Sequence, residues 1–188
     1  MTKVIVAGAA GRMGRRVMYM VEQNPDLQLV GGFEQEGNPE IGKDLGELAG
    51  LNKLGVPLSA GLASVIDQGD VIIDFTFHES TMKFARLAAE HKKAMVIGTN
   101  GLSQDNLAEL KSLAVNFPCV QSPNMAVGVN VLFKVARKVA SILGDDYDIE
   151  IVEAHHRMKK DAPSGTALKL GEMVAEGVNR DLNKVGVF

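Results

Sequence analysis

The sequence holds a single cysteine, Cys119, in 188 residues. One thiol cannot close an intrachain disulfide, and its isolation points to a reducing, cytoplasmic setting. Long apolar runs are missing too; none reaches the roughly 20 residues that a membrane-crossing helix needs. Neither sign of charge dominates, since 20 Lys and Arg stand against 23 Asp and Glu, a formal charge of −3. That balance gives no electrostatic ground for binding nucleic acid or an anionic membrane surface. Internal repeats and low-complexity tracts are absent, and with 46% hydrophobic and 23% charged residues the chain has a packed globular composition. Met1-Thr2-Lys3 runs straight into Val4-Ile5-Val6-Ala7, which reads as a buried strand leading to a glycine loop rather than as a signal peptide. Glycine is what the chain has in excess, 20 residues, so their placement matters.

Short apolar runs alternate with helical patterns through the first two-thirds. Strands are predicted over 3–7, 27–33, 70–75, 94–98 and 119–121, and helices over 12–23, 62–68, 78–92 and 103–115, with Ser103 as a cap. The stretch 34–60 reads as loop with minor elements. Strands alternating with helices of this length predict βαβ units and a parallel sheet covered on both faces. The pattern changes after Pro123. Val127, Val131, Leu132, Val135, Val139 and Ile142 fall at helical spacing over 126–143. A strand over 147–154, a basic loop over 155–163, a helix over 164–178 and a strand-like apolar run over 184–188 follow. The expected class is α/β: an N-terminal Rossmann-like domain, 1–125, then a smaller, incomplete α+β substrate domain, 126–188.

Between the first strand and first helix lies Gly8-Ala9-Ala10-Gly11-Arg12-Met13-Gly14. Glycines there allow a tight turn, a close backbone approach to a pyrophosphate and close helix–sheet packing. Glu34 ends the second strand 20 residues beyond Gly14, where an acid accepts from ribose hydroxyls. A merely structural glycine turn is the competing reading, and the strand, helix and acid in order favour a dinucleotide. Glu34 would repel a 2′-phosphate and so favours NADH; Arg12, Arg15 and Arg16 are nearby cations that leave room for NADPH. Gly98-Thr99-Asn100-Gly101 and Ser122-Pro123-Asn124-Met125 each follow a strand and could line the nicotinamide half, or be ordinary turns.

A second constellation runs from Glu153 through His155, His156, Arg157, Lys159, Lys160 and Asp161 to Pro163-Ser164-Gly165-Thr166. Histidine exchanges protons near neutral pH, lysine holds an anion, and a helix start offers amides and a hydroxyl to a carboxylate or phosphate. A metal site is disfavoured: adjacent histidines on an extended segment point to opposite sides, and no cysteine or third histidine lies close. The bland alternative is a solvated basic loop ending in a helix cap. Beside a redox-cofactor motif, a site for an acidic substrate is the better reading. Cys119 reads as core packing, and His78 and His91 as surface or helix-capping residues.

Together these segments resemble the 4-hydroxy-tetrahydrodipicolinate reductase (dihydrodipicolinate reductase) family. Asp74-Phe75-Thr76, Val96-Ile97-Gly98-Thr99 and Asn124-Met125-Ala126-Val127-Gly128-Val129-Asn130 agree with it. The resemblance implies an NADH- or NADPH-dependent oxidoreductase of the diaminopimelate route to lysine, cytoplasmic and homotetrameric, acting on a small cyclic dicarboxylate. It implies His155 and Lys159 as catalytic residues, and His156, Gly165 and Thr166 as substrate-binding. It also implies Gly8, Ala9, Ala10, Gly11, Arg12, Met13, Glu34, Gly98, Thr99, Asn100, Ser122, Pro123, Asn124 and Met125 as cofactor-binding. Gln35 stands where some members carry a basic residue for the 2′-phosphate, which strengthens the lean to NADH, and Asn100 where a second Thr is common. Family members continue well past residue 188, so a non-catalytic NAD(P)-binding fragment is the alternative of a different class. Another small-molecule dehydrogenase is a third reading, which the His-Lys string opposes.

Overall fold

In chain order, the first part comprises β1 (Thr2–Ala7), α1 (Arg12–Glu22), β2 (Leu27–Glu34), α2 (Leu45–Leu48) and β3 (Ser59–Ala60). After two 3-10 turns come β4 (Val71–Asp74), α3 (His78–Glu90), β5 (Ala94–Ile97), α4 (Gln104–Leu113) and β6 (Cys119–Gln121). The computed structural model describes residues 1–159 and 162–188. They form two units, Met1–Ser122 and Pro123–Phe188.

Four consecutive residues of β1, Val4 to Ala7, are buried because both faces of the strand are covered. Alternation sends Val4 and Val6 to a core shared with Met18 and Val21 of α1. It sends Ile5 and Ala7 to the opposite core, with Met82, Ala85 and Ala88 of α3. The six strands are parallel and ordered β3-β2-β1-β4-β5-β6. Sequence order therefore reverses between β1 and β4, and ligands in such sheets bind beyond the carboxyl ends of the strands at that point.

β2 contains a bulge: Val4 pairs with Leu29, yet Ile5 pairs with Gly31. Leu29 packs on the α1 side and Phe33, four residues later, on the α3 side. Strict alternation would put both on one face, so the extra residue Val30 turns the end of the strand over. Gly32 then faces Ala9 and Leu45 on the α1 side, and Glu34 shares that side.

The 34–60 stretch is ordered around Asp44, whose buried carboxylate accepts from the amides of Gly46, Glu47, Leu54 and Gly55 at 2.7–3.3 Å. These bonds, Leu54's foremost, hold its carboxyl below the usual carboxylate range. The helix predicted over 62–68 is instead two 3-10 turns, Leu62–Ser64 and Ile66–Gln68. Ser103 caps α4 reciprocally with Asn106. Cys119 is half-buried against the α3-side core, and burial raises its thiol.

The second unit contains α5 (Val127–Leu143), a 3-10 turn at Gly144–Asp146, α6 (Gly165–Gly177) and α7 (Leu182–Val185). The apolar stripe that predicts α5 is largely exposed, and Phe133 and Ala140 are the buried positions. Close approach decides the face: a Cβ at Gly177 would meet the Arg137 carbonyl at 2.6 Å and the Ala140 methyl at 3.0 Å. The strand predicted over 147–154 does not form, because a strand needs a ladder partner and this unit has none among the described residues. Ile151 nevertheless lies close to α6 at Gly171. The strand-like run at 184–188 is corrected as well: Asp181 accepts from the Asn183 amide at 3.0 Å and starts α7 across its first residues.

Candidate functional site

The glycine loop leaves β1 at the reversal point of the sheet. Gly8 has φ +61, and a Cβ there would meet the Thr76 methyl at 2.8 Å. A Cβ at Gly14 would run into the Gly8 carbonyl group and lie 2.7 Å from Ala9 Cα, so only glycine lets α1 seat against the loop. Gly11 is the N-cap of α1 and supplies no side-chain bond, which leaves first-turn amides to an outside acceptor. Glu34, on the α1 side of β2, accepts from the Ala10 amide at 3.1 Å. The acid and the loop that the sequence pairs by spacing are thus in contact.

The three arginines separate into different tasks. Arg15 donates to the Ala10 carbonyl at 2.8 Å, the Leu48 carbonyl at 3.2 Å and Glu40 at 2.6 Å, tying the 34–60 stretch to the glycine loop. Its guanidinium, with Lys43 adding to it, keeps the Glu40 carboxyl below its ordinary range. Arg16 stacks on the Tyr19 ring at 4.9 Å. Arg12 is exposed at the first position of α1.

At the end of β5, a Cβ on Gly98 would lie 2.6 Å from Phe75 Cζ, inside the ring's contact distance. Thr99 is 3% exposed and its hydroxyl has no hydrogen-bond partner among the described residues. A buried hydroxyl left unpaired is costly unless a ligand completes it. This open donor, the uncapped α1 start and the glycine cradle fit a bound dinucleotide. Asn100 is exposed beside it, and the Ser122 amide donates to the Ile97 carbonyl at 3.1 Å. Pro123 and Met125 flank Asn124, which accepts from the Ala126 amide at 2.9 Å and donates to Thr166 Oγ1 at 3.3 Å.

Glu153 is the hub of the second constellation. Its carboxylate accepts from the Ser164 amide at 2.7 Å and the Ser164 hydroxyl at 2.5 Å, and bonds His155 Nε2 at 2.7 Å. The Ser164 hydroxyl foremost, then His155 and the Ser164 amide, lower its carboxyl to about 2. Ser164 Oγ also accepts from the Ala167 amide at 3.0 Å, capping α6. Gly165 and Thr166 are the first two residues of that helix, where amides lack intrahelical acceptors. His156 Nδ1 accepts from the Met158 amide at 3.2 Å, and the Lys159 amide donates to the His156 carbonyl at 3.1 Å. Lys160 and Asp161 of the motif lie outside the described residues. His91 ends α3 and bonds Asp67 at 2.9 Å, and His78 begins it beside Glu79. Among the described residues no group of three His, Cys, Asp or Glu is placed to hold a metal ion, and no helix is long and apolar enough to cross a membrane.

The depressed Glu153 carboxyl has a signed consequence. Its bonds contribute fully above the ordinary value of 4.5 and are lost as pH falls through about 2. The protection factor of the Ser164 amide is expected to be high at pH 5 and to fall as pH drops below 4. An unchanged protection factor between pH 5 and 2.5 would contradict this.

Sequence reasoning missed Glu153 as a functional residue. The available signal was its position two residues before His155 in an extended segment, where both side chains share a side. Asp74 carries no role from the sequence beyond its place in a motif, yet it is buried and accepts from Thr76 twice and from Thr81.

Residues 2–125 match the family model described as dihydrodipicolinate reductase, N-terminus, and residues 128–187 match its C-terminus. The chain belongs to the dihydrodipicolinate reductase family. It is 67% identical over 188 residues to the 4-hydroxy-tetrahydrodipicolinate reductase of Desulfotalea psychrophila, covering all of this chain and 70% of that protein. The enzyme of the same name from Syntrophus aciditrophicus is 50% identical with the same coverage. Among solved structures, the dipicolinate-bound dihydrodipicolinate reductase from Paenisporosarcina sp. TG-14 matches with a TM-score of 0.75 and 32% identity, over 95% of this chain and 67% of that one. An Agrobacterium radiobacter oxidoreductase in complex with NAD+, L-tartaric acid and magnesium, at 14% identity and TM-score 0.52 over 76% of this chain and 39% of that one, shares the fold alone.

Proposed function

We propose that this protein is a 4-hydroxy-tetrahydrodipicolinate reductase, which reduces a cyclic imine dicarboxylate to tetrahydrodipicolinate at the expense of NADH or NADPH. The observation that carries the reading is the pairing, in one chain of this family, of a dinucleotide cradle with a His–Glu–Ser cluster at a helix start. Residues 1–125 are assigned the dinucleotide and 126–188 the substrate. The nicotinamide supplies a hydride when bound. Gly8 to Met13 hold the pyrophosphate through backbone amides, Glu34 takes the ribose hydroxyls, and Gly98, Thr99, Asn100 and Ser122 to Met125 hold the nicotinamide end. Glu34 followed by Gln35 offers no cation to a 2′-phosphate, and with Arg15 engaged by Glu40 the reading favours NADH.

The substrate's two carboxylates call for cations and helix-start amides. Lys159, His156 and the amides of Gly165 and Thr166 supply them. Reduction of the conjugated imine leaves an electron-rich ring that takes up one proton, and His155 supplies it with Lys159 assisting. The assembly is read as a cytoplasmic homotetramer. The test is oxidation of NADH, followed optically, with freshly generated substrate. One NADH is expected to be consumed per substrate, and His155→Ala to lower kcat by about 100-fold or more. Absence of substrate-dependent NADH oxidation by a protein that binds NADH would overturn the reading.

A further inference from the structure

We infer that Glu153 is the positioning residue of this site: it grips His155 through Nε2 and the start of α6 through Ser164, leaving Nδ1 of His155 as the proton-delivering nitrogen. The inference rests on His155 being the proton donor, as proposed above, and adds what orients it and which ring nitrogen acts.

The geometry is that of a three-way acceptor. Glu153 Oε1 takes the Ser164 amide, while Oε2 takes the Ser164 hydroxyl and the His155 ring. An ionised carboxylate only accepts, so the hydrogen between it and His155 resides on Nε2. In the neutral imidazole Nδ1 is then bare, and in the imidazolium Nδ1 carries the hydrogen that Glu153 does not hold. Delivery breaks the Nδ1–H bond, forms one bond from that hydrogen to the reduced substrate, and leaves a neutral ring still bonded to an ionised Glu153. The imidazolium charge is consumed by the negative charge of the reduced ring, so the step balances.

Anchoring comes from the helix. His155 sits in a segment without a ladder of its own, but Ser164 Oγ binds Glu153 and caps α6 with the same atom. α6 is thirteen residues long, with Gly171 and Ala175 buried. The histidine is thereby referenced to the element whose first residues, Gly165 and Thr166, take the substrate carboxylate. The other charged groups described on these two segments are Asp148, Glu150, His156, Arg157 and Lys159 on one and Lys169, Glu172 and Glu176 on the other. Of these, Lys169 is paired with Glu172 at 2.9 Å, and Arg137 of the packed α5 meets Glu176 at 3.6 Å.

The first measurement is 15N NMR of the histidine rings in the full chain above their titration, where His155 is expected as the Nε2–H tautomer. Glu153→Gln is expected to mix the tautomers and to lower kcat by about 10- to 100-fold with KM for the dicarboxylate changed less than about threefold. Glu153→Asp is expected to recover part of kcat. An Nδ1–H tautomer in the parent protein overturns the proposal, as does a Glu153→Gln protein with parental kcat and tautomer. If Glu153→Gln does not fold, the tautomer of the parent protein decides. His155→Gln in the same assay separates the two readings: full activity there refutes the donor role, whereas the tautomer still reports the Glu153–His155 bond.

Discussion

Gly14→Ala is expected to abolish NAD(P)H binding and to lower the unfolding free energy by about 2–3 kcal/mol. The obstacle is backbone: a Cβ at this position collides with the Gly8 carbonyl and with Ala9 Cα. Neither can rotate away as a side chain would, so α1 must slide along the sheet. That slide carries Gly11 and the open amides of the first turn out of place, and breaks the Ala10–Glu34 bond. Gly11 is the internal control. A Cβ there meets only the Gly8 carbonyl oxygen, at 3.1 Å, with no positive φ to strain the residue. Gly11→Ala is therefore expected to cost below about 1 kcal/mol in folding, while still weakening pyrophosphate binding. Urea melts and NADH titration by fluorescence separate the two. A Gly14→Ala protein that melts and binds as the parent does would refute the backbone collision at this position.

Asp74→Ala is expected to destabilise the first unit by about 3 kcal/mol or more and to loosen the glycine loop with it. Asp74 ends β4, paired with Ala7 of β1 and Ile97 of β5, at the point where the sheet reverses. It is fully buried and accepts from the Thr76 amide at 2.9 Å, the Thr76 hydroxyl at 2.6 Å and the Thr81 hydroxyl at 2.5 Å. Thr81 is itself fully buried, so alanine at 74 strands its donor, and each stranded buried donor costs about 1–3 kcal/mol. Thr76 packs its methyl over Gly8, so its release is felt at the glycine loop. Asp74→Asn keeps an accepting oxygen and is expected to lose roughly half as much. Equal melts for both variants would refute this account.

Much of the first unit was legible because its signals are local. β1 reads from Val4 to Ala7 as an unbroken apolar run, α4 from the Ser103 cap, and the loop from Gly8, Gly11 and Gly14. The second unit was less legible for a physical reason. A partly alternating run such as Tyr147 to Ala154 has strand character only if another strand lies alongside, and pairing is not written in the run itself. At the C-terminal end the cap won: Asp181 binds the Asn183 amide and begins a helical turn where the apolar residues alone suggest a strand. In α5 the spacing of valines gave the helix but not its buried face, which the small residues Ala140 and Gly177 select by allowing close approach. The histidines and lysine of the second constellation stood out by residue type. Glu153 did not, because its role depends on Ser164, eleven residues away, folding back as a helix cap.

The bulge in β2 changes what the interval between Gly14 and Glu34 measures. Counting residues finds the acid, but the side of the sheet it occupies depends on phase relative to β1. Val30 is the residue that the ladder skips, so a chain lacking it would still pair Leu29 with Val4 and Gly31 with Ile5. Its acid would arrive at the same loop, one position earlier in the count. A deletion at Phe33, beyond the skipped residue, would instead bring Gln35 into the place of Glu34 and set an amide against the loop. The length of this strand is therefore free to drift by one residue at Val30 and nowhere after it, and the acid set against the glycine loop is protected by that single point of slack.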